Sequence, residues 1–172
     1  MNQKIDEPQD FIRAEGLPFL AHLLRRLSDG LVAGFEEWYP GYGVLAPTRT
    51  ASTMRVLYRK GPLPVMLVAQ EIRQSHPLVI TWIRQLLRLG LVTTTKDPSD
   101  GRKSIVALTP AGRLDAERMI AADATIERAY RSLFAEADAD VFDALWRLEQ
   151  ACRRRGMASR LHEAHGAADS PF

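Results

Sequence analysis

Residues 68–112 read VAQEIRQSHPLVITWIRQLLRLGLVTTTKDPSDGRKSIVALTPAG, and the order of signals within them decides the fold. A short helical run over about Val65–Arg73, with Leu67, Val68 and Ile72 inward, stops at Arg73-Gln74-Ser75. Ser75 is a good N-cap, and Pro77 falls in the first turn, where its missing N–H costs nothing. The spacing therefore predicts a second helix from Ser75 to Gly90. The period then changes. LVTTTK is rich in β-branched residues, and SIVALT alternates Ile105, Ala107 and Thr109 against Val106 and Leu108. Between them lies a charged turn of Asp, Pro, Ser and Gly, so the pair reads as a β-hairpin. Thr109 and Pro110 form an N-cap and first-position pair that opens a helix over about Pro110–Phe134.

Working outward, Leu20, Leu23, Leu27, Leu31, Phe35 and Trp38 recur at three- and four-residue steps and predict one long helix with a single apolar face. YPGYG ends it. A helix follows over about Thr48–Arg59 with Ala51, Met54 and Leu57 inward, and KGPLP breaks it. A last helix, about Asp138–Arg155, places Val141, Leu145, Leu148 and Cys152 on one stripe. Residues 1–16 and 164–172 read as flexible tails around a single domain over 17–163. The fold class is mostly α with a small β-wing: two short helices in series followed at once by a hairpin make a winged helix-turn-helix over 47–109.

Composition bounds what such a domain can do. The chain has 172 residues, 46% of them apolar and 26% charged, enough for one buried core and unlike a disordered chain. No apolar run approaches the roughly 18 to 20 residues of a membrane span, and MNQKIDEPQD lacks the basic and apolar pattern of a secretory signal. With Cys152 the only cysteine, a reducing cytoplasmic setting is expected and no disulfide or cysteine-based zinc cluster can form within the chain. Net charge is only +2, but residues 49–113 hold eleven basic side chains against three acidic ones, a net +8. A basic middle between acidic flanks is the footprint of a surface that meets a polyanion.

In the second short helix, Val79, Trp82, Ile83 and Leu86 share the inward face. Ser75, His76, Pro77, Ile80, Thr81, Arg84, Gln85 and Arg88 are the candidate DNA contacts. The start of such a helix meets base edges and its later turns meet phosphate, so base reading falls to His76, Ile80 and Thr81. Ile80 either meets a thymine methyl or packs at the edge of the core. At the hairpin tip, Arg102 and Lys103 can place a cation in the adjacent minor groove, with Asp100 bracing the Arg102 guanidinium.

These residues resemble the MarR family of transcriptional regulators. DPSDGRKSIVALTPAG is similar to the family's wing at Asp100, Arg102, Leu108, Thr109 and Gly112. The preceding block resembles its helix-turn-helix at Ala69, Ser75, Pro77, Val79, Leu86, Gly90 and Leu91. The resemblance runs over about Leu17–Arg155. It implies a homodimer in which N- and C-terminal helices, residues 17–46 and 110–163, pair between subunits. It also implies that two winged lobes read the halves of a pseudo-palindromic site in double-stranded DNA. It implies a repressor released by a small aromatic or anionic effector, for which His22, Arg26, Trp38, Tyr39, Tyr42 and Arg49 are the candidate lining, the rings stacking and a cation holding a carboxylate. The sequence departs from the family at Thr81 and Gln85, where many members carry Arg, which implies a different base preference.

Other signals point elsewhere more weakly. Arg153–Arg155 beside Cys152 could lower the pKa of its thiol for redox sensing, against a buried, inert thiol on the apolar stripe. His162 and His165 supply two metal ligands, too few to close a site, so no metal or cofactor is expected. There is no G-x-S-x-G, no Gly-rich phosphate loop and no H-E-x-x-H, so no enzyme is expected. The competing non-enzymatic class is a winged-helix module that meets protein instead of DNA.

Overall fold

The computed structural model describes residues 10–98, 100 and 104–168. They fall into two compact units divided between Ala122 and Asp123.

The first unit begins with a helix inside the stretch expected to be a tail. Helix α1 (Phe11–Glu15) is capped by Asp10, whose carboxylate accepts the Arg13 N–H at 3.0 Å and the Arg26 guanidinium at 2.6 Å. The Arg26 hydrogen bond, ahead of the Arg13 N–H, holds the Asp10 carboxyl below its ordinary value. Helix α2 (Leu20–Trp38) follows the predicted leucine spacing, yet none of its residues is buried in the chain. A 3-10 turn at Tyr39–Tyr42 and another at Thr48–Thr50 lead into α3 (Ala51–Lys60), which buries Thr53, Met54 and Leu57.

The lobe that follows is as read, with one addition. Leu63–Pro64 forms a short strand, β1, before α4 (Val65–Glu71) and α5 (His76–Arg88). Strands β2 (Val92–Lys96) and β3 (Ser104–Leu108) pair antiparallel with Val92 opposite Leu108 and Lys96 opposite Ser104, and β1 joins the other edge of β3. KGPLP therefore both ends α3 and supplies an edge strand, where proline's missing donor is tolerated. Within α4, Val68 and Ala69 are buried and Leu67 is exposed, contrary to the inward placement of Leu67. The core joins Met54, Leu57, Val68, Val79, Ile83, Leu86, Leu91, Val106 and Met119. Each such side chain stabilises the lobe by about 1.5–3 kcal/mol through apolar burial.

The helix predicted over 110–134 is two. Helix α6 (Pro110–Ala121) stops at Ala122 and α7 (Asp123–Glu136) begins the second unit. The break comes where small residues replace large apolar ones, and Asp123 stands in the first turn of α7, the end of a helix that favours negative charge. Helix α8 (Val141–Arg154) exposes Phe142, Leu145, Trp146 and Leu148. Cys152 is exposed as well, so the buried inert thiol expected there is not what this chain alone forms. Beyond the expected end, Arg155 is extended and α9 (Met157–Ala168) begins. The Arg160 guanidinium donates to the carbonyls of Ala151 and Arg155 at 3.2 Å each, satisfying the orphan end of α8. Residues 164–168, expected to be tail, belong to α9. Among the described residues, no helix is long and apolar enough to cross a membrane.

Candidate nucleic-acid interface

The turn of the helix-turn-helix is built from backbone bonds. The Ile72 N–H donates to Val68 O at 3.1 Å, and Gln74 N–H to Ala69 O at 3.0 Å, while Arg73 takes a left-handed conformation with φ 54°. This is a position that glycine usually fills. Ser75 is extended and occupies the N-cap position. Its side chain makes no capping bond, while its carbonyl accepts the Val79 N–H at 3.1 Å.

Along α5, Val79, Ile83 and Leu86 are buried, which turns the opposite side of the helix outward. Ser75, His76, Pro77, Thr81, Arg84 and Arg88 are exposed, and Ile80 and Gln85 are half-buried. Trp82, expected inward, is also half-buried. Six of the eight predicted helix contacts are thus exposed, and four of them, Pro77, Thr81, Arg84 and Arg88, share the line opposite the core. The Thr81 hydroxyl donates to the Pro77 carbonyl at 3.1 Å. Ile80 lines a groove of about 470 Å³ between α5, the start of α4 and the wing strands, together with Pro64, Val65, Met66, His76, Ile83, Arg84, Leu87, Thr94 and Ser104. Asp100 is half-buried near the end of the wing; Arg102 and Lys103 lie outside the described residues.

The wing is anchored to the rest of the unit at the start of α6. The Thr109 hydroxyl donates to Gly90 O at 2.7 Å and accepts the Gly112 N–H at 3.0 Å, and Thr109 N–H donates to Leu91 O at 3.0 Å. Gly112 is there because nothing larger fits: a Cβ would stand 1.8 Å from Leu91 O. Helix α6 also holds the segment that joins α2 to the lobe. The buried Asp115 carboxylate accepts the N–H groups of Leu45 at 2.7 Å and Ala46 at 3.1 Å, and Arg118 donates to Gly43 O at 2.8 Å. The Arg55 guanidinium reaches Met119 O at 3.0 Å, tying α3 to the same helix.

The six candidate effector residues do not come together in one place. His22 lies against Phe19 with ring centroids 5.1 Å apart, and Arg26 is paired with Asp10. Trp38 stacks on Tyr42 at 4.9 Å at the far end of α2, about 24 Å from His22 along the helix axis. Tyr39 is buried beside them. Arg49 pairs with Asp29, midway along α2, at 2.8 Å. Among the described residues no group of three or more His, Cys, Asp or Glu could hold a metal ion.

Sequence reasoning missed three features of this surface. Arg73 reads in the sequence as the end of a short helix and the start of its turn, and its left-handed backbone has no signature in an arginine. Met66, Thr94 and Ser104 line the groove because β1 brings α4 up to the wing, and a two-residue strand is invisible to periodicity. Asp115, three residues past Gly112, has nothing in the sequence around it that separates a buried acceptor from a surface charge.

Residues 67–112 match the model of a winged helix DNA-binding domain. Among curated proteins, none matches the chain in sequence. Solved structures share the fold. A probable transcriptional regulator from Pseudomonas aeruginosa is 25% identical, over 75% of this chain and 96% of its own, with a TM-score of 0.62. The BpsR protein of Bordetella bronchiseptica, whose DNA binding is regulated by 6-hydroxynicotinic acid, is 28% identical over 76% and 98%, with a TM-score of 0.57. The PcaV transcriptional regulator of Streptomyces coelicolor, in complex with its natural ligand, is 22% identical over 77% and 93%, with a TM-score of 0.64. With its helix-turn-helix, its wing and these neighbours, the chain carries a winged helix DNA-binding domain and shares its fold with solved transcriptional regulators.

Proposed function

We propose that the protein is a homodimeric, sequence-specific DNA-binding regulator that represses transcription and lets go of its operator when a small molecule binds. The observation that carries the DNA reading is the face of α5. Pro77, Thr81, Arg84 and Arg88 stand outward together from a helix whose other side is locked into the core by Val79, Ile83 and Leu86, and Ser75 and His76 are exposed at its start. In this reading the start of α5 enters a major groove, and Arg102 and Lys103 at the wing tip meet the minor groove beside it.

The dimer is supported by apolar surface that one chain leaves uncovered. Leu20, Leu23 and Leu27 on α2 are exposed, and so, within the second unit, are Phe142, Leu145, Trp146 and Leu148 on α8. Side chains at helical spacing with nothing over them mark an interaction face. Residues 17–46 and 110–163 are assigned to it, and the lobe over 47–109 to DNA.

Release by an effector is supported by two neighbours: BpsR, whose DNA binding responds to 6-hydroxynicotinic acid, and PcaV, which was solved with its natural ligand. In this chain the stacked Trp38 and Tyr42 rings, beside buried Tyr39, are the part of the candidate lining suited to an aromatic acid.

Three measurements test the reading. Sedimentation equilibrium gives a dimer, and Leu23→Glu with Leu27→Glu gives a monomer. Arg102→Ala weakens operator binding and relaxes preference beside the major-groove contacts. An aromatic carboxylate raises the melting temperature and lowers operator affinity. A monomeric wild type, an unchanged Arg102→Ala or an inert panel of aromatic acids each removes the corresponding part of the proposal.

A further inference from the structure

The chemistry at the start of α5 says which bases it suits, an inference that rests on the DNA-binding reading above. A helix turns 100° per residue, so the line opposite Val79, Ile83 and Leu86 runs through Pro77, Thr81, Arg84 and Arg88, with Leu78 on one flank and Ile80 on the other. In the first two turns the outward groups are almost all carbon. Leu78 is 38% exposed, Pro77 is exposed, and Ile80 stands at the lip of the groove beside the wing. Thr81 looks polar in the sequence, but its one hydroxyl proton is spent on the Pro77 carbonyl at 3.1 Å. What it offers outward is a methyl group and an acceptor oxygen.

Base edges in the major groove differ in what they require. Guanine presents two acceptors, best met by a bidentate Arg or Lys, and adenine an acceptor and donor pair, best met by Asn or Gln. Thymine presents a methyl group. Among the exposed side chains at the start of α5 the hydrogen-bond donors are the Ser75 hydroxyl and His76, and neither has the paired donors of an arginine. The first arginine, Arg84, comes about 12 Å along the axis from His76 and Arg88 about 18 Å, where a helix docked by its start meets the backbone.

We propose that the first half of α5 selects operator bases by their C5 methyl groups. Leu78 and the Thr81 methyl pack on thymine methyls of each half-site, and Ile80 covers the flank toward the wing. No guanine is read there by a bidentate arginine. The exposed face of Leu78 then leaves water together with the methyl it covers, so discrimination comes from apolar contact and not from hydrogen bonding.

The test uses the full-length protein and the best duplex from a randomised pool. Each thymine of a half-site is replaced singly by deoxyuridine, which removes only the methyl group. Affinity is then measured for wild type, Leu78→Ala and Thr81→Ser, all three checked for equal melting temperature. The expected loss is about fourfold per methyl under α5, the scale of burying one carbon. In the variant lacking the contacting group, thymine and uracil duplexes bind alike at that position. An enriched site whose uracil duplexes all bind like the parent overturns the methyl reading and leaves DNA binding intact. The absence of any enriched site overturns both, and exposed Leu78 would then mark a protein partner.

Discussion

Replacing Asp115 by alanine removes a side chain that receives two backbone donors of the segment joining α2 to the winged lobe. Its carboxylate is buried, and it accepts the N–H groups of Leu45 and Ala46 at 2.7 and 3.1 Å. The two losses are unequal. Leu45 is 64% exposed, so its freed N–H can turn to water at a cost of about 1 kcal/mol. Ala46 is 2% exposed, and its N–H keeps no partner, which costs about 2–3 kcal/mol. The sum is about 3–4 kcal/mol, and for a chain of this length each kcal/mol moves the melting temperature by about 2–4 °C. Calorimetry of Asp115→Ala should therefore show a fall of about 10 °C. Asp115→Asn keeps one acceptor and should lose about half as much. Hydrogen exchange locates the effect: the amides of Leu45 and Ala46 lose protection before those of the core strands. A melting temperature within about 2 °C of wild type would refute the assignment of these two bonds as a latch, since it would mean that water or a neighbour replaces Asp115 freely.

Three further outcomes follow from the same geometry. Gly112→Ala drives a methyl against Leu91 O, where the gap is 1.8 Å, so α6 must shift from the wing. Thermal unfolding should show a loss of about 1–3 kcal/mol or more, and an unchanged melt would contradict the close approach. Arg73→Gly relieves a left-handed arginine at the helix turn and should stabilise the lobe by about 0.5–1 kcal/mol. It should at the same time weaken operator binding and flatten the salt slope by about 0.9 if the guanidinium meets a phosphate, and unchanged DNA affinity would assign Arg73 no contact. Asp10 has a carboxyl held below its ordinary value, so its support for α1 is fully present above the unfolded value and fades as pH falls through the lower folded one. The Arg13 amide resonance should titrate only in that acid range and not at all in Asp10→Asn.

How much of this was legible depended on whether a residue's role is local. Ser75, Pro77, Gly90, Thr109 and Pro110 act through their own backbone preferences, and the helix-turn-helix and hairpin they bound were readable to within a few residues. The leucine spacing placed α2 as well. Spacing says which side chains share a face and not what covers it. Cys152 shares the stripe of Leu145 and Leu148, yet all three are exposed in the chain. Short elements carry too few residues to show a period, which hid α1 and β1. Helix α9 was hidden because Met157 and Leu161 are its only large apolar side chains and both are exposed. The candidate effector residues are spread along α2 and the segment after it, and a helical rise of 1.5 Å per residue separates His22 from Trp38 too far for one small ligand. The Thr81 hydroxyl shows the limit most sharply: whether it reads a base or its own helix is a matter of a rotamer.

In the function proposed above, the α5 face reads DNA sequence as part of a symmetric dimer. The most direct test is selection of the purified protein on a randomised duplex pool, with the best site then titrated at several salt concentrations. The account predicts an enriched palindrome with half-sites about one helical turn apart, and a log affinity that falls with log salt by about 0.9 per phosphate contacted. No enrichment, with only weak and steeply salt-sensitive binding to any duplex, would contradict it.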